Sequence, residues 1–162
     1  MIVYHGSNTL FERPDLKYSR KELDFSKGFY VTELYEQAKK WSERKRSMDL
    51  KVKSYVLRFE LDEMAFLNKK VLKFDTYSKE WLDFISVCRS GNDKTDYDIV
   101  IGGIANDKVF DTIELYFDNL ISADEAIGRL KYEKINSQIC LRKQEIIDRY
   151  LKYIGVDEIY GK

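Results

Sequence analysis

The chain has 162 residues, of which 44% are apolar, 14% aromatic and 35% charged, enough for one domain with a buried core and too apolar for a disordered segment. Its 28 Lys and Arg balance 28 Asp and Glu, so it lacks the basic excess of a general nucleic-acid coat. Two cysteines (Cys88 and Cys140) and a single histidine, His5, exclude a disulfide scaffold and leave a zinc site almost nothing to be built from.

No stretch approaches the ~20 apolar residues of a membrane span. The opening Met1-Ile2-Val3 is too short for the apolar region of a signal peptide. The expectation is therefore a cytoplasmic protein folded as one domain over residues 1–162, with no metal and no membrane association.

Ile2-Val3-Tyr4-His5 reads as a short strand that ends in the turn residues Gly6-Ser7-Asn8. Residues 11–28 hold the one proline and little periodicity, which predicts a long loop, or a loop with a short helix, of the kind that often carries a site. Gly28 to Thr32 is a second short strand. A helix is predicted over 33–46, with Leu34, Ala38 and Trp41 on one stripe and Thr32 as its N-cap. Tyr55, Leu57, Phe59 and Leu61 alternate with Val56, Arg58 and Glu60, a half-buried strand. Val71 to Phe74 is a further strand.

Trp81, Phe84, Ile85 and Cys88 mark a helix over 78–89, and residues 91–96 a polar turn. Asp98 to Gly103 reads as a buried strand, and Val109, Phe110, Ile113, Tyr116 and Phe117 as a helix. Ser122-x-x-Glu125 is a capping box that opens a short helix. Gln138 to Leu141 is a strand, and Ile146, Ile147, Tyr150, Leu151 and Ile154 predict a closing helix. Strands and helices intermingle without regular βαβ alternation, so the expected class is α+β.

Neither a phosphate-binding G-x-x-x-x-G-K-[ST] loop nor a G-x-G-x-x-G turn occurs. No cysteine or serine has the context of a nucleophile, and no EF-hand spacing appears. His5-Gly6-Ser7 is different, because a histidine at a strand end followed by glycine presents a ring edge and an approachable backbone together. Taken alone, it reads equally as a turn whose histidine is incidental. Gly28-Phe29-Tyr30 sets two aromatics beside a glycine, either a platform for a planar ring or a core strand with a leading turn.

Tyr4-His5-Gly6-Ser7 and Asp24-Phe25-x-Lys27-Gly28-Phe29-Tyr30 together resemble motifs of the ADP-ribosyltransferase superfamily, and within it a bacterial family of unknown function. The resemblance implies two small β-sheets split around an NAD cleft. NAD would be the substrate. His5 would hydrogen-bond a ribose hydroxyl, the Gly6 backbone would pair with the nicotinamide carboxamide, and Tyr30 would stack on the nicotinamide. Ser7 would lie near the adenosine ribose, with Gly28 and Phe29 beside the ring. A second aromatic normally completes the sandwich, and Trp41 is its candidate, although Trp41 also fits an ordinary core stripe. Asp24, Lys27 and Arg20 precede the tyrosine, and a cation there would meet the pyrophosphate.

The superfamily's third motif is a glutamate at the start of a late strand. In Asn136-Ser137-Gln138-Ile139-Cys140-Leu141 that position holds Gln138, which keeps a hydrogen bond but brings no charge. Losing one preorganised electrostatic contact commonly costs ~3–4 kcal/mol, roughly a hundredfold or more in rate. Glu133 and Glu145 are carboxylates near it in sequence. The resemblance thus implies a mono-ADP-ribosyltransferase with a protein or nucleic-acid acceptor; the alternative is a catalytically weak or inactive NAD or ADP-ribose binding module, or an NAD glycohydrolase. A small intracellular modifier of this kind suits a toxin paired with an antitoxin protein. The basic run Lys39, Lys40, Arg44, Lys45, Arg46, Lys51 and Lys53 is either a steering surface for an acidic target or the wet face of a helix.

Overall fold

The computed structural model describes residues 1–46 and 51–160, with the side chains of all of these except Lys45 and Arg46. The order is β1 (Ile2–Ser7), β2 (Phe29–Val31), α1 (Tyr35–Arg46), β3 (Ser54–Leu61), β4 (Val71–Lys73) and α2 (Lys79–Arg89). It continues with β5 (Ile99–Gly103), α3 (Asp107–Phe117), α4 (Ala123–Leu130), β6 (Ser137–Leu141), α5 (Gln144–Tyr150) and β7 (Leu151–Ile159). The class is α+β, as the mixed order predicts. Single turns of 3-10 helix at Leu16–Tyr18 and Glu63–Phe66 punctuate the loops.

The helix starts follow side-chain chemistry. Ser78, Asn106 and Ser122 each accept a hydrogen bond from the backbone N–H three residues on, at 3.1–3.2 Å, and so satisfy a donor that the first turn leaves unpaired. Ser122 with Glu125 is the predicted capping box seen from its N-cap side.

Two sheets form among the described residues, a three-stranded one ordered β1-β3-β7 and a four-stranded one ordered β2-β6-β5-β4. All pairings are antiparallel except β4 with β5, which α2 connects as a crossover. Inner faces of the two sheets meet in one core: Val3, Tyr55, Leu57, Phe59 and Leu61 from one, Phe29, Val31, Ile99, Ile139 and Leu141 from the other. The outer face of the four-stranded sheet carries a second core, where Val100 and Cys140 meet Phe25, Trp81, Ile85, Val109, Ile113 and Leu130. Helix α1 packs on β1 and β3.

Three expectations need correction. The stripe running from Ile146 to Ile154 is not one helix, because α5 ends at Tyr150 and the chain continues as β7. Leu151, Tyr153 and Val156 pack on the inner core, with a register shift opposite Arg58 and Phe59, and the β3 edge supplies hydrogen bonds that a longer helix would forgo. Thr32 does not cap α1. Its backbone exchanges two hydrogen bonds with Tyr4 and its hydroxyl binds Leu34 N and Ser137 O, so the helix begins at Tyr35 and Leu34 stays 43% exposed. Val56, read as the wet side of its strand, is fully buried, since α1 covers that face of β3.

Candidate active site

The two sheets are joined where β1 and β2 touch. Tyr4 N–H donates to Thr32 O at 2.8 Å and Thr32 N–H to Tyr4 O at 3.0 Å, a single antiparallel rung. Continuing that ladder would set Gly6 opposite Tyr30. Instead, His5 Nδ1 donates to the Tyr30 carbonyl at 2.7 Å. A carbonyl only accepts, so Nδ1 is the donor in this contact. The imidazole also lies against Phe29, centroids 4.4 Å apart, and Phe11 at 5.8 Å.

Strand alternation then fixes Gly6. Tyr4 turns its amide and carbonyl toward β2, so Gly6, two residues on, turns its own toward the same side, away from β3. A side chain at Gly6 would begin 2.0 Å from Ala38 O and 2.9 Å from Trp41 Cβ. Glycine is therefore required here by the close approach of α1. The same alternation puts Trp41 on the α1 side of β1 and the His5 ring on the other side. Ser7 Oγ accepts from Thr9 N at 3.0 Å, and the Asn8 side-chain amide donates to Ser42 O and Lys53 O, which ties the end of β1 to α1 and the approach to β3.

Phe29 and Tyr30 do not make one platform, because adjacent strand residues face opposite ways. Phe29 enters the inner core at 8% exposure, while Tyr30 faces the outer core in a row with Cys140 and Val100. The Tyr30 hydroxyl donates to Ser26 O and accepts from Phe25 N at 2.9 Å. That pair pins the loop before β2, and burial drives the phenol pKa well above its usual value. Gly28 is held by Ser19, whose hydroxyl bonds both its N–H and its C=O, and a Cβ on Gly28 would stand 2.2 Å from Cys140 Sγ.

Gln138 lies on the same sheet face as Tyr30, diagonal to it across the β2–β6 pair, and is 4% exposed. Its Nε2 donates to Asp24 Oδ2 at 3.3 Å. Arg89, at the end of α2, grips the other oxygen, Oδ1, through Nε and Nη2 at 2.8 Å each, and its Nη1 lies 3.6 Å from Glu114. Loop, β2, β6 and α2 thus converge on one polar cluster. Sequence reasoning set a cation of the stretch around Asp24, Lys27 and Arg20 against a pyrophosphate and looked to Glu133 or Glu145 for a carboxylate near Gln138. The carboxylate that reaches Gln138 is Asp24, and its place in the Asp24-Phe25 run ahead of Tyr30 was the available signal. Arg89 was missed, since nothing in the helical stripe of α2 sets it apart.

Other candidates stay apart from this cluster. Arg44 pairs with Asp107 and Lys53 with Glu158, while the side chains of Lys45 and Arg46 fall outside the described ones. Arg20 and Lys27 are exposed. A cavity of about 850 Å³ lies between residues 12–14, the end of β3 and the α5–β7 junction; it carries both signs of charge and none of the motif residues. Among the described residues no group of three His, Cys, Asp or Glu could hold a metal ion, and no helix is long and apolar enough to cross a membrane.

No curated protein and no solved structure matches the chain. A family model described as a protein of unknown function, DUF3990, matches residues 1–153. With nearly all of its length inside that match, the chain belongs to the DUF3990 family.

Proposed function

We propose that the protein is an NAD-dependent mono-ADP-ribosyltransferase whose site lies where β1 and β2 part. The observation that carries this reading is the broken ladder. His5 takes the Tyr30 carbonyl, and the Gly6 amide and carbonyl are turned toward β2 beyond the last rung. A donor and an acceptor side by side on one backbone suit a planar primary amide such as the nicotinamide carboxamide. His5 orients a ribose hydroxyl, and Gln138 holds a second one.

NAD supplies the reacting bond, between nicotinamide and the ribose carbon C1′. Its electrons leave with nicotinamide, and a target nucleophile or water adds at the electron-poor carbon and gives up its proton. Protein and nucleic acid are both acceptors of suitable chemistry, and a cytoplasmic toxin held in check by an antitoxin protein is the biological setting that fits best. Trp41 stands across Gly6 from the His5 ring, where it borders the carboxamide rather than closing a nicotinamide sandwich with Tyr30.

The test is nicotinamide release from NAD by the full chain, followed with His5→Ala. Release that the substitution abolishes supports the transferase or a glycohydrolase, and labelled ADP-ribose appearing on an acceptor distinguishes the two. A second reading, a non-catalytic NAD or ADP-ribose binding module, is favoured by the uncharged amide of Gln138. It predicts a rise in melting temperature with NAD and no release over hours. NAD that changes neither melting temperature nor its own integrity removes both readings.

A further inference from the structure

The Asp24 carboxylate divides its two oxygens cleanly. Oδ1 takes both Arg89 contacts at 2.8 Å, and Oδ2 takes Gln138 Nε2 at 3.3 Å. Only the NH2 side of an amide can donate to a carboxylate. Asp24 therefore sets which way the Gln138 amide faces, with Nε2 toward the loop and Oε1 turned from it. Asp24 is itself placed by its neighbours, since the Tyr30 hydroxyl grips Phe25 N and Ser26 O directly after it. Its side chain is 20% exposed and that of Arg89 22%, so the pair is largely sheltered from water.

From this juxtaposition we infer that Asp24 is a positioning residue that aims and polarises the Gln138 amide, so that Oε1 accepts a ribose hydroxyl with part of the strength of a carboxylate. The inference rests on the NAD-cleaving reading above. A carboxylate hydrogen-bonded to an amide N–H pushes electron density toward the amide oxygen, and bonds in such a chain reinforce one another. Negative charge two bonds back then supports the positive charge that grows on the ribose as nicotinamide departs. Arg89 holds the carboxylate in place.

The alternative is a purely structural knot that ties the loop to β6 and α2. Exchanging the two groups separates these possibilities. Nicotinamide release by the full chain is measured across NAD concentrations for the wild type, Asp24→Asn, Gln138→Glu and the exchanged pair Asp24→Asn with Gln138→Glu. Asp24→Asn leaves the amide free to turn, and kcat should fall at least tenfold with KM for NAD changed less than about threefold. The exchanged pair again joins an amide to a carboxylate and should recover at least tenfold over Asp24→Asn. Gln138→Glu alone sets two carboxylates together, and its pH–rate profile should gain a step that the exchanged pair lacks.

An Asp24→Asn protein with the kcat of the wild type, or an exchanged pair no faster than Asp24→Asn, overturns the inference. Where Asp24→Asn melts below the assay temperature, Arg89→Lys carries the same expectation, since it keeps the cation and loses the two-nitrogen grip; an unchanged kcat there overturns it equally. NAD binding without any release in the wild type overturns the polarising role while leaving the binding site. Neither binding nor release overturns the reading on which the inference stands.

Discussion

His5 Nδ1 donates to the Tyr30 carbonyl at 2.7 Å, at the point where the rung between Gly6 and Tyr30 would otherwise form. One side chain thus ends the pairing of two strands that belong to different sheets. His5→Ala leaves that carbonyl without its partner and opens space between Phe11 and Phe29. The expected loss of unfolding free energy in urea is ~1–3 kcal/mol, from an unmet hydrogen bond together with lost packing. His5→Phe keeps an aromatic ring between Phe11 and Phe29 while losing the hydrogen bond, so it should cost less. Equal stability of all three proteins would show that the bond adds nothing to folding.

Gly6 and Gly128 make a matched pair with opposite outcomes. A methyl at Gly6 would meet Ala38 O at 2.0 Å and Ser42 N at 2.8 Å, both backbone atoms of α1 that cannot rotate away. Gly6→Ala should lower stability by ~3 kcal/mol or more, as overpacking against backbone does. Gly128 lies within α4 with nothing inside 4 Å of its added Cβ. There, Gly→Ala should raise stability by ~0.5–1 kcal/mol through helix propensity and a less mobile unfolded chain. Denaturant midpoints of the two variants, measured side by side, check both signs.

Alkaline pH should unfold the protein through groups that are buried in neutral form. Burial pushes the Cys88 and Cys140 thiols up to about 12, against an ordinary value of 9.0, and Tyr77 up to about 12 from 10.0. Tyr30 moves in the same direction for the same leading reason. Above about pH 9 the unfolded thiols lose protons that the folded ones keep, so the unfolded state binds fewer protons and stability falls as pH rises. That contribution is complete below about pH 9 and gone once the pH passes about 12. Urea midpoints should therefore decline steadily from pH 9 to 11, and Cys140→Ala should flatten the decline. A midpoint that stays level over that range contradicts these burial assignments.

The strands that bear motifs were legible in the sequence because turn residues or abrupt polar steps flank them, as at Asn8, Gly28 and Asn136. Strand β1 does not stop at a Gly6-Ser7 turn as expected, however: both residues pair with β3. What the sequence did not reveal depends on distance along the chain. Asp24 meets Gln138 across 114 positions and Arg89 across 65, and no local pattern records either pairing. Residues 151–154 satisfy both a helical stripe and a strand alternation, and only the open edge of β3 decides between them. Val56 fits a wet strand face until α1 is laid over it. Phe29 and Tyr30 were a different case, since the period of two already sends neighbouring rings to opposite faces.

Asp93 and Arg142 lock the turn at residues 91–96 to the end of β6, the strand that carries Gln138. Their side chains are 1% and 10% exposed, and the contact is 2.6 Å. Arg142 also reaches Thr95 O at 3.2 Å. Burial alone would raise the Asp93 carboxyl, but the hydroxyl and amide of Thr95 together with Arg142 outweigh it and hold the pKa below its ordinary 3.8. A lowered folded pKa gives stability that is present above about pH 4 and is lost as the pH falls through the folded value. Asp93→Asn strands a buried guanidinium and should cost ~3–5 kcal/mol at neutral pH. It should also shrink the acid-induced loss of stability below about pH 4, because the titrating group is gone. Urea unfolding of wild type and variant from pH 2.5 to 7 tests this; parallel curves would mean that Asp93 is not the carboxylate responsible.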